Sequence, residues 1–156
     1  QLCSTGDRPA NLERTTAWID QAVAEGARFI LLPENYGYLD REAEITAVER
    51  IGNGPSVRAV REAAARHGVT IAAGSVPLAA EDGRRVRNSL LVWGPSGELV
   101  GRYDKIHLFD IDLDEAHSFR ESRYVEPGSE PAVVSAEGWR VGLSICYDLR
   151  FPELYR

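Results

Sequence analysis

An α/β fold is predicted, on three observations. Two stretches with helical spacing of apolar residues, 11–25 and 57–67, each run into a strand-like stretch of apolar and small residues, 28–32 and 69–76. Continuous apolar runs of that length suit strands covered on both faces, as happens when helices cross back over a sheet. From residue 79 onward strand-like stretches follow one another with only turns between them, so part of the sheet is antiparallel.

Gln1, Leu2 and Cys3 read as the last residues of a strand. Ser4, Thr5, Gly6 and Asp7 form a turn with several possible helix caps, and Leu12, Ile19, Ala22 and Val23 then share one helical face. Gly26 closes that helix, and the strand at 28–32 (RFILL) is ended by Pro33. Residues 40–50 read as a short acidic helix with a solvated face. Ser56 is placed to cap the helix at 57–67, where Val57, Val60 and Ala64 fall together before Gly68. The strand at 69–76 is rich in small residues, as close helix packing requires. Asp82-Gly83 turns the chain into a strand at 86–93, and Gly94-Pro95-Ser96-Gly97 turns it into another at 99–103. Residues 104–128 show neither period, and unpatterned connections of such length are commonly functional. A last hairpin, 132–135 and 139–145 joined at Glu137-Gly138, leads to Cys146, and Pro152-Glu153 open a helix.

The chain has 156 residues, of which 44% are hydrophobic and 27% charged, the make-up of one globular domain. A net charge of −6 offers no electrostatic footprint for nucleic acid or an anionic membrane. The longest apolar runs, 29–32 and 89–93, have strand length and are too short to span a bilayer. Two cysteines, Cys3 and Cys146, with no CxxC pair and no zinc-like His/Cys spacing, fit free thiols in a reducing compartment, hence a cytoplasmic location. The chain lacks methionine altogether and stops within what reads as the first turns of a helix. It is therefore expected to be one incomplete domain, 1–156, without the start of its first strand or its C-terminal part.

Three reactive residue types stand just past the ends of expected strands. Glu34 follows RFILL and Pro33, Lys105 follows the strand ending at Tyr103, and Cys146 follows the last strand. Strand ends are where ligands of open α/β sheets bind. At a strand-to-helix junction the next backbone N–H groups are not yet used by a helix, so they favour a thiolate or a developing oxyanion. Each residue also has a plainer reading: Cys146 as a small buried hydrophobe, Glu34 as a loop residue or cap, Lys105 as the partner of Asp104 in a solvated pair. A thiol nucleophile needs a base, and histidine is its usual partner. His67, at a helix end, suits a dipole partner and His117 lies in a polar loop, while His107 is well placed. Composition does not choose between His107 and Glu34.

The segments Leu31-Leu32-Pro33-Glu34-Asn35-Tyr36, Tyr103-Asp104-Lys105-Ile106-His107-Leu108-Phe109-Asp110 and Gly142-Leu143-Ser144-Ile145-Cys146-Tyr147-Asp148-Leu149-Arg150-Phe151-Pro152-Glu153 resemble the three signature blocks of the nitrilase superfamily of carbon-nitrogen hydrolases. They occur in that family's order and relative spacing. Arg87-Asn88-Ser89, Phe119-Arg120-Glu121-Ser122 and Pro127-Gly128 extend the likeness, which is nearest to the small-amidase branch of omega-amidases and deaminated glutathione amidases.

The resemblance implies a four-layer α-β-β-α sandwich, truncated here, with both long helices in one outer layer. It implies a Glu34/Lys105/Cys146 triad, with Cys146 as nucleophile, Glu34 as general base and Lys105 stabilising the oxyanion beside the Tyr147 backbone N–H. Glu121 matches a second glutamate that orients Lys105 and the substrate, Tyr36 and Phe109 are candidate pocket walls, and Asp148 with Arg150 a structural pair. The implied reaction cleaves a non-peptide carbon-nitrogen bond of a small linear amide through a Cys thioester, releasing ammonia and a carboxylate without metal or organic cofactor. The implied partners are a small-molecule amide and further copies of the full-length chain, with neither nucleic acid nor membrane. A nitrile or N-carbamoyl-amide hydrolase on the same triad, or a catalytically silent truncated module, is the competing expectation. The isolated piece is expected to fold poorly or to aggregate through an exposed sheet edge.

Overall fold

The computed structural model describes residues 2–39, 48–112 and 118–156. Helix α1 (Arg8–Ala24) begins three residues earlier than its apolar spacing suggests, because Asp7 caps it, its carboxylate accepting the Ala10 N–H at 3.1 Å, and Pro9 suits the first turn. Strand β1 (Phe29–Leu31) follows, then helix α2 (Pro55–His67), which stops at Gly68 with φ +65°. Strands β2 (Thr70–Ala79), β3 (Val86–Trp93) and β4 (Leu99–Asp104) complete a four-stranded sheet in the order β1-β2-β3-β4. The β1–β2 pair is parallel and the other two are antiparallel, as helix-connected and turn-connected strands must be.

Alternation along β2 and β3 sends side chains to two cores. Ile71, Ala73, Leu91 and Trp93 face Ile19 of α1 and Val57, Val60, Ala63 and Ala64 of α2. Ala72, Leu90 and Val92 face the other way, onto Val134, Leu143 and Ile145. Val134 and Leu143 belong to a hairpin of β7 (Ala132–Ala136) and β8 (Trp139–Leu143), which Ile145 follows; it is closed at Glu137 (φ +50°) and Gly138 (φ +81°), the pair of positive φ angles that matches strand twist. The described residues thus build three layers: two helices, a sheet, and a hairpin packed on its opposite face.

Four sequence expectations are corrected or left open. Leu2 and Cys3 are not in a strand; the Cys3 carbonyl accepts from Arg14 Nη2 instead of joining a ladder. The stretch 104–128 contains a small hairpin, β5 (Asp110–Asp112) with β6 (Ser118–Arg120), and a 3-10 turn, Glu121–Arg123. Strands of three residues are too short to leave a period in sequence. The helix expected at Pro152 is a pair of 3-10 turns, Cys146–Arg150 and Pro152–Tyr155. Most of the acidic helix expected at 40–50 lies outside the described residues, as does His117; Val48, Glu49 and Arg50 are not helical, and Glu49 bridges to Leu78. Among the described residues no helix is long and apolar enough to cross a membrane.

Candidate active site

Glu34 reaches the sheet end because the chain leaving β1 lies across β2. A Cβ at Gly74 would collide with the Pro33 carbonyl oxygen, so the glycine there admits the Pro33-Glu34 turn. The β2–β3 register shifts between Ala73 and Val76, and within that irregularity Ser75 Oγ accepts the Asn35 N–H at 3.0 Å. Asn35 takes φ +56°, a conformation asparagine tolerates better than most residues.

Lys105 leaves the end of β4 with both backbone groups held. Its N–H donates to the Asn88 carbonyl at 2.9 Å, and its carbonyl accepts from Gly128 at 2.8 Å. A side chain on Gly128 would meet the Asp104 carbonyl, so the Pro127-Gly128 turn can lie this close only with glycine. The Lys105 side chain is 2% exposed, and Nζ contacts Glu34 Oε1 at 3.2 Å and Glu121 at 3.0 and 3.2 Å. Asn88 Nδ2 donates to Glu34 Oε1 at 2.8 Å and to Glu121 Oε1 at 3.4 Å. Glu121 opens its 3-10 turn and also accepts the Phe109 N–H at 2.6 Å. Two carboxylates and one ammonium leave this cluster with one net negative charge.

Cys146 is exposed and has φ +48°, a left-handed geometry that costs a non-glycine residue about 1–2 kcal/mol. Asp148, wholly buried, holds that turn and ties it to the lysine segment. Its carboxylate accepts the Ile145 N–H at 2.9 Å, the Tyr103 hydroxyl at 2.8 Å, the His107 N–H at 3.0 Å and lies 2.7 Å from His107 Nδ1. The His107 ring stacks on Phe151 at 3.8 Å. His107 is thus engaged with Asp148, while Glu34 is the carboxylate whose charge acts most on the Cys146 thiol. The expected pairing of Asp148 with Arg150 is replaced by these donors. His67 joins Asp20 of α1 at 2.6 Å, a contact between helices.

Charge within the site runs in a definite direction. Burial works to lower the Lys105 pKa, but the Glu34 and Glu121 carboxylates, with the Glu121 hydrogen bond, outweigh it and the net shift is upward. Lys105 is therefore a cation at neutral pH. Part-burial of the Cys146 thiol is the largest influence raising its pKa, the Glu34 charge adds to it, Lys105 opposes, and a hydrogen bond to Glu34 raises it further. The thiolate expected at this junction is thus disfavoured at rest, since a 3-10 turn of five residues has little dipole to set against two carboxylates.

Glu34, Lys105 and Glu121 meet directly, and the charges of all three act on the Cys146 thiol. Tyr147 is the second residue of its 3-10 turn, where backbone N–H groups have no partner within the turn. Phe109 is half-buried beside them, 5.1 Å from the Tyr147 ring and 5.5 Å from Phe119. Tyr36 goes elsewhere: it is fully buried in the helix-side core, its hydroxyl donating to the Ser56 carbonyl at 3.1 Å, so it packs α2 rather than lining a pocket. Asn88, which the sequence offers only within a motif, and Asp148, expected to pair with Arg150, supply contacts that residue reactivity alone does not single out. The sequence signal for Asn88 is three polar residues, Arg87-Asn88-Ser89, opening an otherwise apolar strand.

The carbon-nitrogen hydrolase family model matches residues 1–156. The chain is similar to the chloroplastic omega-amidase of Arabidopsis thaliana, 37% identical over 159 residues, covering 99% of this chain and 42% of that protein. It is also similar to the deaminated glutathione amidase of Yersinia enterocolitica, 37% identical over 159 residues, covering 100% of this chain and 55% of that protein. Among solved structures, the NitFhit protein of C. elegans superposes with a TM-score of 0.84 at 28% identity, covering 99% of this chain and 38% of that one. XC1258 from Xanthomonas campestris, a CN-hydrolase superfamily protein with an arsenic adduct in its active site, gives 0.81 at 32% identity, covering 98% and 53%. The chain spans about half the length of the curated relatives it matches. A match over its whole length, with relatives that share more than a third of its residues, makes the chain a member of the carbon-nitrogen hydrolase family, the nitrilase superfamily.

Proposed function

We propose that the protein carrying this chain is an amidase that hydrolyses the carbon-nitrogen bond of a small linear amide through a thioester on Cys146. The observation that carries this reading is the contact of buried Lys105 with both Glu34 and Glu121, in a cluster whose charges act on the Cys146 thiol. Cys146 Sγ attacks the amide carbon as its proton passes to Glu34. Lys105 Nζ and the Tyr147 N–H hold the resulting oxyanion. The C–N bond then breaks, Glu34 returns the proton to the leaving nitrogen, and ammonia departs. Water, deprotonated by Glu34, attacks the thioester, the C–S bond breaks, and the proton returns to sulfur, leaving a carboxylate. Glu121 keeps Lys105 in place, and Phe109 forms part of the substrate wall.

The names of the relatives favour a small, acidic amide, such as the omega-amide of a 2-oxo acid or a deaminated peptide amide. A working thiol and two free cysteines fit a reducing, cytoplasmic setting, and a homo-oligomer is the proposed assembly. The test is ammonia release by the complete natural polypeptide and its Cys146→Ala variant across a panel including 2-oxoglutaramate, simple aliphatic amides and nitriles. Turnover of an amide that vanishes in the variant supports the reading. Turnover of nitriles alone would make it a nitrile hydrolase, and no turnover of any panel member would favour a silent module.

A further inference from the structure

We propose that Asn88 is a positioning residue that decides which oxygen of Glu34 faces the thiol, a role that rests on the amidase reading above. Asn88 is 7% exposed, and its side chain sits between the two carboxylates of the site. Carboxylates only accept, so the amide must turn its NH₂ toward them. Glu34 Oε1 then receives two donors, Asn88 Nδ2 at 2.8 Å and Lys105 Nζ at 3.2 Å. Its lone pairs are occupied, and Oε2 is the oxygen left to take a proton from Cys146. The same residue holds the lysine through its main chain, since the Asn88 carbonyl accepts the Lys105 N–H. One residue of β3 thereby fixes Glu34, Glu121 and Lys105 relative to one another.

A second observation separates this role from packing. Asn88 Oδ1 is buried and has no hydrogen-bond partner among the described residues. A buried acceptor without a donor is destabilising, a cost that an apolar residue of similar volume would not carry. An asparagine retained at that cost points to the job done by its NH₂. Strand geometry suits the job, because Asn88 pairs with Pro77 of β2 and its neighbour Ser89 pairs with Asp104. It is thereby flanked by the strand that supports the Glu34 turn and the strand that delivers Lys105.

The experiment compares steady-state kinetics and thermal unfolding of the complete natural polypeptide with Asn88→Leu and Asn88→Asp, alongside Cys146→Ala. Asn88→Leu is expected to keep or raise the melting temperature while kcat falls about 10- to 100-fold, part of what a placed general base contributes, with KM changed less than about threefold. Asn88→Asp, isosteric but unable to donate, is expected to lose at least as much kcat. Folded variants that both turn over within about twofold of wild type would overturn the role, as would a loss confined to KM. Wild-type turnover in Cys146→Ala would instead sink the amidase reading itself, whatever Asn88 does.

Discussion

Cys146 combines three properties that pull against one another: exposure, a left-handed backbone, and a thiol whose pKa lies above the ordinary range. A raised pKa means that the folded chain keeps the proton at pH values where a free thiol would have begun to lose it. On the proposed mechanism the nucleophile is stored as a thiol, and its proton leaves as the sulfur attacks a carbonyl carbon. Glu34 adds to burial in raising the pKa and, on the same mechanism, receives the proton. Replacing it with glutamine is expected to make Cys146 more acidic, because the negative charge goes while Lys105 stays, and at the same time to abolish turnover. These opposite effects on thiol acidity and catalysis distinguish a general base from a partner in a resting ion pair.

Among the elements, the 3-10 turn Cys146–Arg150 and the segment after β4 are joined through one buried carboxylate. Asp148 satisfies donors from Ile145, Tyr103 and His107; removing it leaves them unpaired at about 1–3 kcal/mol each where they are buried. Asp148→Ala is expected to lower unfolding stability by several kcal/mol, measured by urea denaturation, whereas Arg150→Ala, at an exposed position, is expected to change it by about 0.5 kcal/mol or less. Equal effects would show that the carboxylate is not the tie between the two segments. Such a tie is hard to read from sequence. The apolar spacing of α1 and α2 and the run RFILL announce themselves, since each repeats one physical rule over many residues. A single aspartate two positions after a cysteine carries no period, and its partners lie 41 and 45 residues away. Tyr36 misled for a related reason: adjacency to Glu34 along the chain suggested a pocket wall, yet the left-handed Asn35 between them turns its ring into the helix-side core.

At the scale of the molecule, the described residues leave large apolar side chains in water. Leu31 is 69% exposed on β1, which stands at one end of the four-stranded order, and Val133 and Trp139 are 56% and 74% exposed on the hairpin. Leu149 and Tyr155, after the nucleophile, are 74% and 54% exposed. Apolar surface of this kind, beside an open strand edge, promotes association. A polypeptide of these 156 residues alone is expected to self-associate, seen as concentration-dependent light scattering, and Leu31→Lys with Trp139→Lys is expected to reduce it. A monodisperse monomer with cooperative unfolding would contradict that. The sheet edges and the two cores follow from the order of apolar runs in the sequence; the three-residue ladder β5–β6 does not, and it carries the segment ending in Glu121 back toward Lys105. The candidate site is thus built by the most legible strands together with the least legible loop.

The most direct test of the central claim, that Glu34 takes its proton from a thiol and not from solvent beside a ready-made thiolate, is the pH dependence of Cys146 alkylation. Iodoacetamide labelling of the complete natural polypeptide, read by peptide mass spectrometry, gives the midpoint in wild type and in Glu34→Gln. The expected result is a wild-type midpoint above that of an ordinary thiol, moving to lower pH in Glu34→Gln as amide turnover disappears. A wild-type midpoint below an ordinary thiol, rising when Glu34 is replaced, would mean that the resting site is a thiolate ion pair and would contradict the mechanism.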